Sequence, residues 1–115
     1  MEMSSITTHV LDTSRGQPAV GVPVTLEKKT GSEWEIIGNS STDADGRVRD
    51  LLSLNSALAA GTYRLTFDTH CYFEAQKIDS FYPSVTVVFT VRDAAQHYHV
   101  PLLLSPYGYS TYRGS

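Results

Sequence analysis

The sequence predicts an all-β fold, a sandwich of two antiparallel sheets carrying one short helix. Apolar residues recur at every second position in several short stretches, clusters of Gly, Pro, Asp and Ser separate those stretches, and 115 residues are enough for one hydrophobic core. A small barrel shares this strand spacing, and the sandwich is the preferred arrangement. The chain is read as a single domain over residues 1–115, because it contains no linker, internal repeat or low-complexity segment.

Successive strand residues face opposite sides of a sheet, so alternation marks a strand with one buried face. Ile6 to Leu11 is the first candidate. Val22, Val24 and Leu26 then form an apolar face against Pro23, Thr25 and Glu27. Glu33 to Ile37 follows, and Tyr63, Leu65 and Phe67 repeat the pattern against Thr62, Arg64, Thr66 and Asp68. Val85, Val87, Phe89 and Val91 make a further inward set, and Tyr98 to Leu104 closes the series. Turn chemistry stands at Arg15 to Pro18, Thr30 to Ser32, Asp43 to Gly46, Ala60-Gly61 and Ser105 to Gly108. The helix is expected within Asp68 to Ser80, around Glu74 to Lys77.

The net charge of −3 is spread along the chain and leaves no basic stripe or polybasic patch, so neither nucleic acid nor membrane is an expected partner. No run approaches a membrane span, and Met1 to Thr8 lacks the features of a secretory signal. Cys71 is the only cysteine and cannot form an intrachain disulfide, which fits a reducing compartment. A cytoplasmic location is the expectation, with a peroxisomal one, or a periplasmic one after signal removal, as alternatives.

Strand parity supplies the first functional signal. With Tyr98, Val100, Leu102 and Leu104 inward, His97 and His99 fall on the outer face beside Pro101 and Leu103. With Ile6, Thr8 and Val10 inward, His9 falls outward between Thr7 and Leu11. Histidines among outward apolar residues suggest a face covered by another subunit, with a partly dry site between chains. The plainer reading of each histidine is a solvated or hydrogen-bonded strand residue. His97 and His99, two residues apart on a strand, stand roughly 6.6 Å from one another, a separation open to shared metal ligation. No further ligand falls at a suitable spacing, so neither a metal nor another cofactor is expected.

Arg47 follows the Asp43-Ala44-Asp45-Gly46 turn, either as a solvated edge charge or as a planar fork for an anionic or carbonyl-rich heterocycle. Ser105 to Ser115 carries three tyrosines, consistent with an aromatic final strand; the functional alternative brings Tyr112, Ser115 and the terminal carboxylate to a site. A nucleophile elbow, a phosphate loop, a dinucleotide glycine pattern and a CXXC pair are all missing from the sequence.

The segments His9-Val10-Leu11-Asp12-Thr13 with Gly16-Gln17-Pro18-Ala19, Thr42 to Arg47, Ser80-Phe81-Tyr82-Pro83, Tyr98 to Pro106 and Tyr112-Arg113-Gly114-Ser115 resemble the transthyretin-related family, and most of all its 5-hydroxyisourate hydrolase branch. The resemblance spans almost the whole chain. It implies a transthyretin-like sandwich, a homotetramer built as a dimer of dimers, and hydrolysis of a purine-derived lactam during urate breakdown. The carrier branch has lost the histidine and arginine set, whereas His9, Arg47 and His99 are present here. The resemblance therefore implies catalysis by His9, Arg47 and His99, and substrate binding by His9, Arg47, Tyr112 and Ser115, without a metal. Which histidine activates water is left open. A noncatalytic carrier of a small aromatic ligand is the second reading, and a structural interaction domain the third.

Overall fold

A computed structural model describes residues 5–52 and 58–114. Two sheets face one another across a core that includes Ile6, Val10, Leu26, Leu65, Phe67 and Leu102. One sheet runs in the order β4 (Glu33–Ser41), β3 (Pro23–Thr30), β6 (Gly61–Phe67) and β7 (Val85–Val91), with every neighbouring pair antiparallel. The inward residues expected from alternation, Val24, Leu26, Tyr63, Leu65 and Phe67, are all buried.

The other sheet positions the site. Its order is β2 (Gln17–Pro18), β1 (Ile6–Asp12), β8 (Tyr98–Ser105) and β9 (Gly108–Thr111), and the short β5 (Arg47–Val48) also pairs with β1. Between β2 and β5, Val10 completes the edge of β1: its N–H donates to the Gly46 carbonyl at 2.7 Å, and its carbonyl accepts from Ala19 N–H at 2.9 Å. The expectation of purely antiparallel sheets needs one correction. β1 and β8 run parallel through seven paired positions from Ile6–Tyr98 to Asp12–Leu104. Alternation gives each strand's faces but carries no information on the direction of its neighbour.

The short helix lies within the expected Asp68 to Ser80 stretch: α1 spans Thr69–Glu74, toward the start of that stretch. Asp68 sets its start, accepting a hydrogen bond from Cys71 N–H at 3.0 Å as an N-terminal cap. Tyr72 and Phe73 anchor the helix in the core, and Lys77, at φ 58°, lies in the left-handed region beyond its end. The Tyr72 hydroxyl donates to Asp12 Oδ2 at 2.7 Å, while Asp12 Oδ1 accepts from Ser14 N–H at 3.0 Å and Arg15 N–H at 3.3 Å. Asp12 is fully buried, and these donors satisfy a carboxylate that is otherwise costly to remove from water. The end of β1 is thereby pinned to α1.

Among the described residues, no helix is long and apolar enough to cross a membrane.

Candidate active site

The outer face of the β5–β1–β8 sheet carries Thr7, His9 and Leu11 on one strand and His99, Pro101 and Leu103 on the next. The parallel register sets Thr7 beside His99, His9 beside Pro101, and Leu11 beside Leu103. Across the opposite edge of β1, Arg47 is the partner of His9. The structure thus brings His9, Arg47 and His99 onto one half-buried face; strand parity predicted the outward placement of the two histidines, and Arg47 joins them through its pairing with His9.

Gly46 allows Arg47 to reach this position. Its φ of +76° lies in the left-handed region, and a Cβ there would stand 2.5 Å from the Val10 carbonyl oxygen. The turn is fixed by Asp43, whose Oδ1 accepts from Asp45 N–H at 2.9 Å and from Arg47 N–H at 3.0 Å. The bond from Arg47 N–H is the main reason the Asp43 carboxyl titrates below its ordinary range, with the Arg49 and Arg47 charges adding to the effect.

The same turn orients His9. His9 Nε2 lies 2.9 Å from the Asp45 carbonyl oxygen. A carbonyl can only accept, so Nε2 carries the proton and, in the neutral ring, Nδ1 carries the free lone pair. His99 is held from the other side, with Nδ1 2.8 Å from Thr7 Oγ1 and its carbonyl accepting from Gly114 N–H at 2.8 Å. A Cβ at Gly114 would approach His99 Cδ2 to 2.6 Å, so only glycine lets the chain pass this close to the ring.

Both imidazoles are biased toward the neutral form. Partial burial lowers the pKa of His9 first and the Arg47 charge lowers it further, against an opposing contribution from the Asp45 carbonyl. Burial is also the largest cause at His99, followed by Arg47, His9 and His97. Two neutral rings beside a guanidinium can accept a proton from water while a cation stands by to meet developing negative charge.

The remaining sequence candidates are placed differently. Tyr112 is 57 % exposed and lines a cleft of about 380 Å³ together with Val87, Phe89, Tyr98 and Arg113. None of His9, Arg47 and His99 lines that cleft. Arg113 stacks over Tyr98 at 4.5 Å and donates to Gln96 Oε1 at 3.0 Å, tethering the segment after β9. Ser115, expected to bind substrate, lies outside the described residues. The His97 and His99 rings are parallel at 6.5 Å, close to the spacing expected for strand neighbours. Among the described residues no group of three His, Cys, Asp or Glu is arranged to hold a metal ion. Thr7 and the Asp45 carbonyl were not singled out in the sequence; only the outward parity of Thr7 hinted at the first, and Gly114 entered only as part of the Tyr112 to Ser115 motif.

Residues 6–114 match the model of the HIUase/Transthyretin family. The chain belongs to this family. Within it, a probable 5-hydroxyisourate hydrolase of Caenorhabditis elegans is 53 % identical over 97 % of the chain and 82 % of the relative. The 5-hydroxyisourate hydrolase of Mus musculus is 47 % identical over 99 % of the chain and 98 % of the relative. Among solved structures, Klebsiella pneumoniae 5-hydroxyisourate hydrolase covers 100 % of both chains with a TM-score of 0.85 and 36 % identity. Sea bream transthyretin in complex with thyroxine gives a TM-score of 0.90 at 33 % identity, covering 96 % of this chain and 95 % of that one. The sandwich is therefore shared by a 5-hydroxyisourate hydrolase and a thyroxine-bound transthyretin, and fold alone does not separate them. The sequence relatives do separate them: this member of the HIUase/Transthyretin family is a hydrolase.

Proposed function

We propose that the chain hydrolyses 5-hydroxyisourate to 2-oxo-4-hydroxy-4-carboxy-5-ureidoimidazoline in urate breakdown, by direct attack of water on a ring carbonyl. The observation that carries this reading is the joint placement of His9, Arg47 and His99 on one half-buried sheet face, with both imidazoles biased toward neutrality. One imidazole accepts the proton of the attacking water, and the other orients or protonates the reacting group. Arg47 binds the substrate's oxygens and stabilises the tetrahedral oxyanion. Tyr112 and Ser115 are proposed to orient substrate, and no metal or cofactor enters the reaction.

The working form is proposed to be a homotetramer, a dimer of dimers. Leu11 and Leu103 are adjacent in register and only half-buried beside the histidines, an apolar border suited to coverage by a second copy. A reducing compartment, the cytoplasm, is the proposed location.

The test is decay of freshly generated 5-hydroxyisourate with and without the protein, corrected for spontaneous hydrolysis. Acceleration that disappears in a folded His9→Ala, His99→Ala double variant is expected. Binding without turnover would replace this reading by the carrier, and full activity in the double variant would remove the imidazole mechanism.

A further inference from the structure

Thr7 is 3 % exposed, and its hydroxyl lies between two imidazoles, 2.8 Å from His99 Nδ1 and 3.2 Å from His97 Nε2. The parallel register makes this possible, since Thr7 is paired with His99, and His97 precedes that residue by two positions on the same side. Of the two rings, His97 is exposed and His99 half-buried.

A hydroxyl has one proton, so it donates to one ring at a time and accepts from the other. If His97 Nε2 is bare, Thr7 donates to it, and His99 donates its Nδ1 proton to Thr7. His99 Nε2 is then an acceptor. If His97 Nε2 carries a proton, as it always does once the ring is charged, that N–H donates to Thr7, the Thr7 proton turns to His99 Nδ1, and neutral His99 holds its proton on Nε2. His99 is then a donor. An arrangement in which both rings donate leaves the hydroxyl proton without a partner at a buried position, which is unfavourable.

We propose that Thr7 is a positioning residue that ties the tautomer of His99 to the protonation of His97, so that the exposed ring selects whether His99 Nε2 accepts or donates a proton. This rests on the proposed role of His99 in hydrolysis, and it deepens that role by naming what sets it. His99 Nε2 is the nitrogen left for a bound molecule, since Nδ1 is engaged by Thr7 and Gly114 covers the Cδ2 edge. The charged and titratable groups facing this pair are His9 on β1, Arg47 on β5, and Arg113 after β9, whose guanidinium donates to the His97 carbonyl at 3.4 Å. Arg47, His9 and His97 all oppose a charge on His99, which favours its neutral form.

The tautomer is read directly from two-bond ¹H–¹⁵N spectra of the full-length, histidine-labelled protein across pH. The expected result is an Nδ1–H pattern for His99 that converts to Nε2–H as His97 takes up its proton. Thr7→Val abolishes that conversion and Thr7→Ser retains it. His97→Leu, at an exposed position, holds His99 in one pattern throughout and carries the test if Thr7→Val fails to fold. In kinetics, Thr7→Val lowers kcat on the order of tenfold to a hundredfold with little change in KM, and Thr7→Ser restores it. A pH-linked tautomer change that persists in both Thr7→Val and His97→Leu overturns the proposal, as does a wild-type His99 that never changes. Full turnover in His99→Ala would instead overturn the catalytic reading of His99.

Discussion

Gly114 and His99 pass so closely that no side chain fits between them: the backbone bond joining them is 2.8 Å, and a Cβ on Gly114 would meet the imidazole Cδ2 at 2.6 Å. The segment after β9 therefore acts as a backstop for the ring. Gly114→Ala should displace His99 while leaving the core intact. A displacement of about 1 Å at a reacting group can cost on the order of a hundredfold in rate, so kcat should fall by that order with an unchanged unfolding midpoint. Equal turnover in an equally folded variant would show that His99 tolerates the shift.

Arg47 lowers the pKa of both His9 and His99 by charge repulsion. Removing the charge raises both, so the acid limb of the rate profile, where neutral imidazole is lost, should move to higher pH in Arg47→Gln. The rate on the plateau should also drop about a hundredfold or more, because the oxyanion loses its cation. A plateau loss without any movement of the acid limb would mean that neither histidine is the titrating base.

Folding stability should depend on pH through the same two rings. In the folded chain His9 and His99 titrate below the ordinary value of 6.5, so the unfolded chain binds more protons as pH falls past it. This contribution is fully present above about 6.5 and is lost progressively below it, until the folded-state values are passed. Urea unfolding at a series of pH values should show that slope, and a His9→Gln, His99→Gln variant should flatten it. An identical slope in the variant would assign the effect to other groups.

Tyr72→Phe removes the hydroxyl that donates to buried Asp12 Oδ2 at 2.7 Å. The expected cost is about 1–3 kcal/mol in unfolding free energy, with no change in turnover, since the bond joins α1 to β1 on the side away from the histidines. An unchanged urea midpoint would show that the carboxylate finds another donor.

Much of this site could be read from strand parity alone. Outward placement of His9 and His99 follows from the period-two burial of Ile6, Val10, Val100 and Leu102, and the turn signal before Arg47 marked where an edge strand begins. The parallel pairing of β1 with β8 was not legible, because alternation describes a strand's faces and is silent about a partner more than ninety residues away. The Asp45 carbonyl and the Gly114 passage were hidden for a different reason. The Asp45 contact is made by a backbone carbonyl, which no residue type announces, and the glycine at 114 does not by itself reveal which ring it passes. The position of α1 turned on one capping contact from Asp68, too local to outweigh a weak helical period. His9-Val10-Leu11-Asp12-Thr13 proves to be two devices in one segment, with His9 facing the site and Asp12 buried against α1.

The parallel pairing of β1 and β8 has a consequence for how the enzyme comes into being. Thr7 and His99 are 92 residues apart, and at a synthesis rate of about 5–20 residues per second roughly 5 to 18 s separate their emergence from the ribosome. During that interval β1 has its short partners β2 and β5 but lacks the central neighbour that completes its ladder. His9 and Arg47 can meet early, whereas His99 and its Gly114 backstop arrive later. A nascent chain therefore waits with an open strand edge, and a chain truncated before β8 can never assemble the histidine pair.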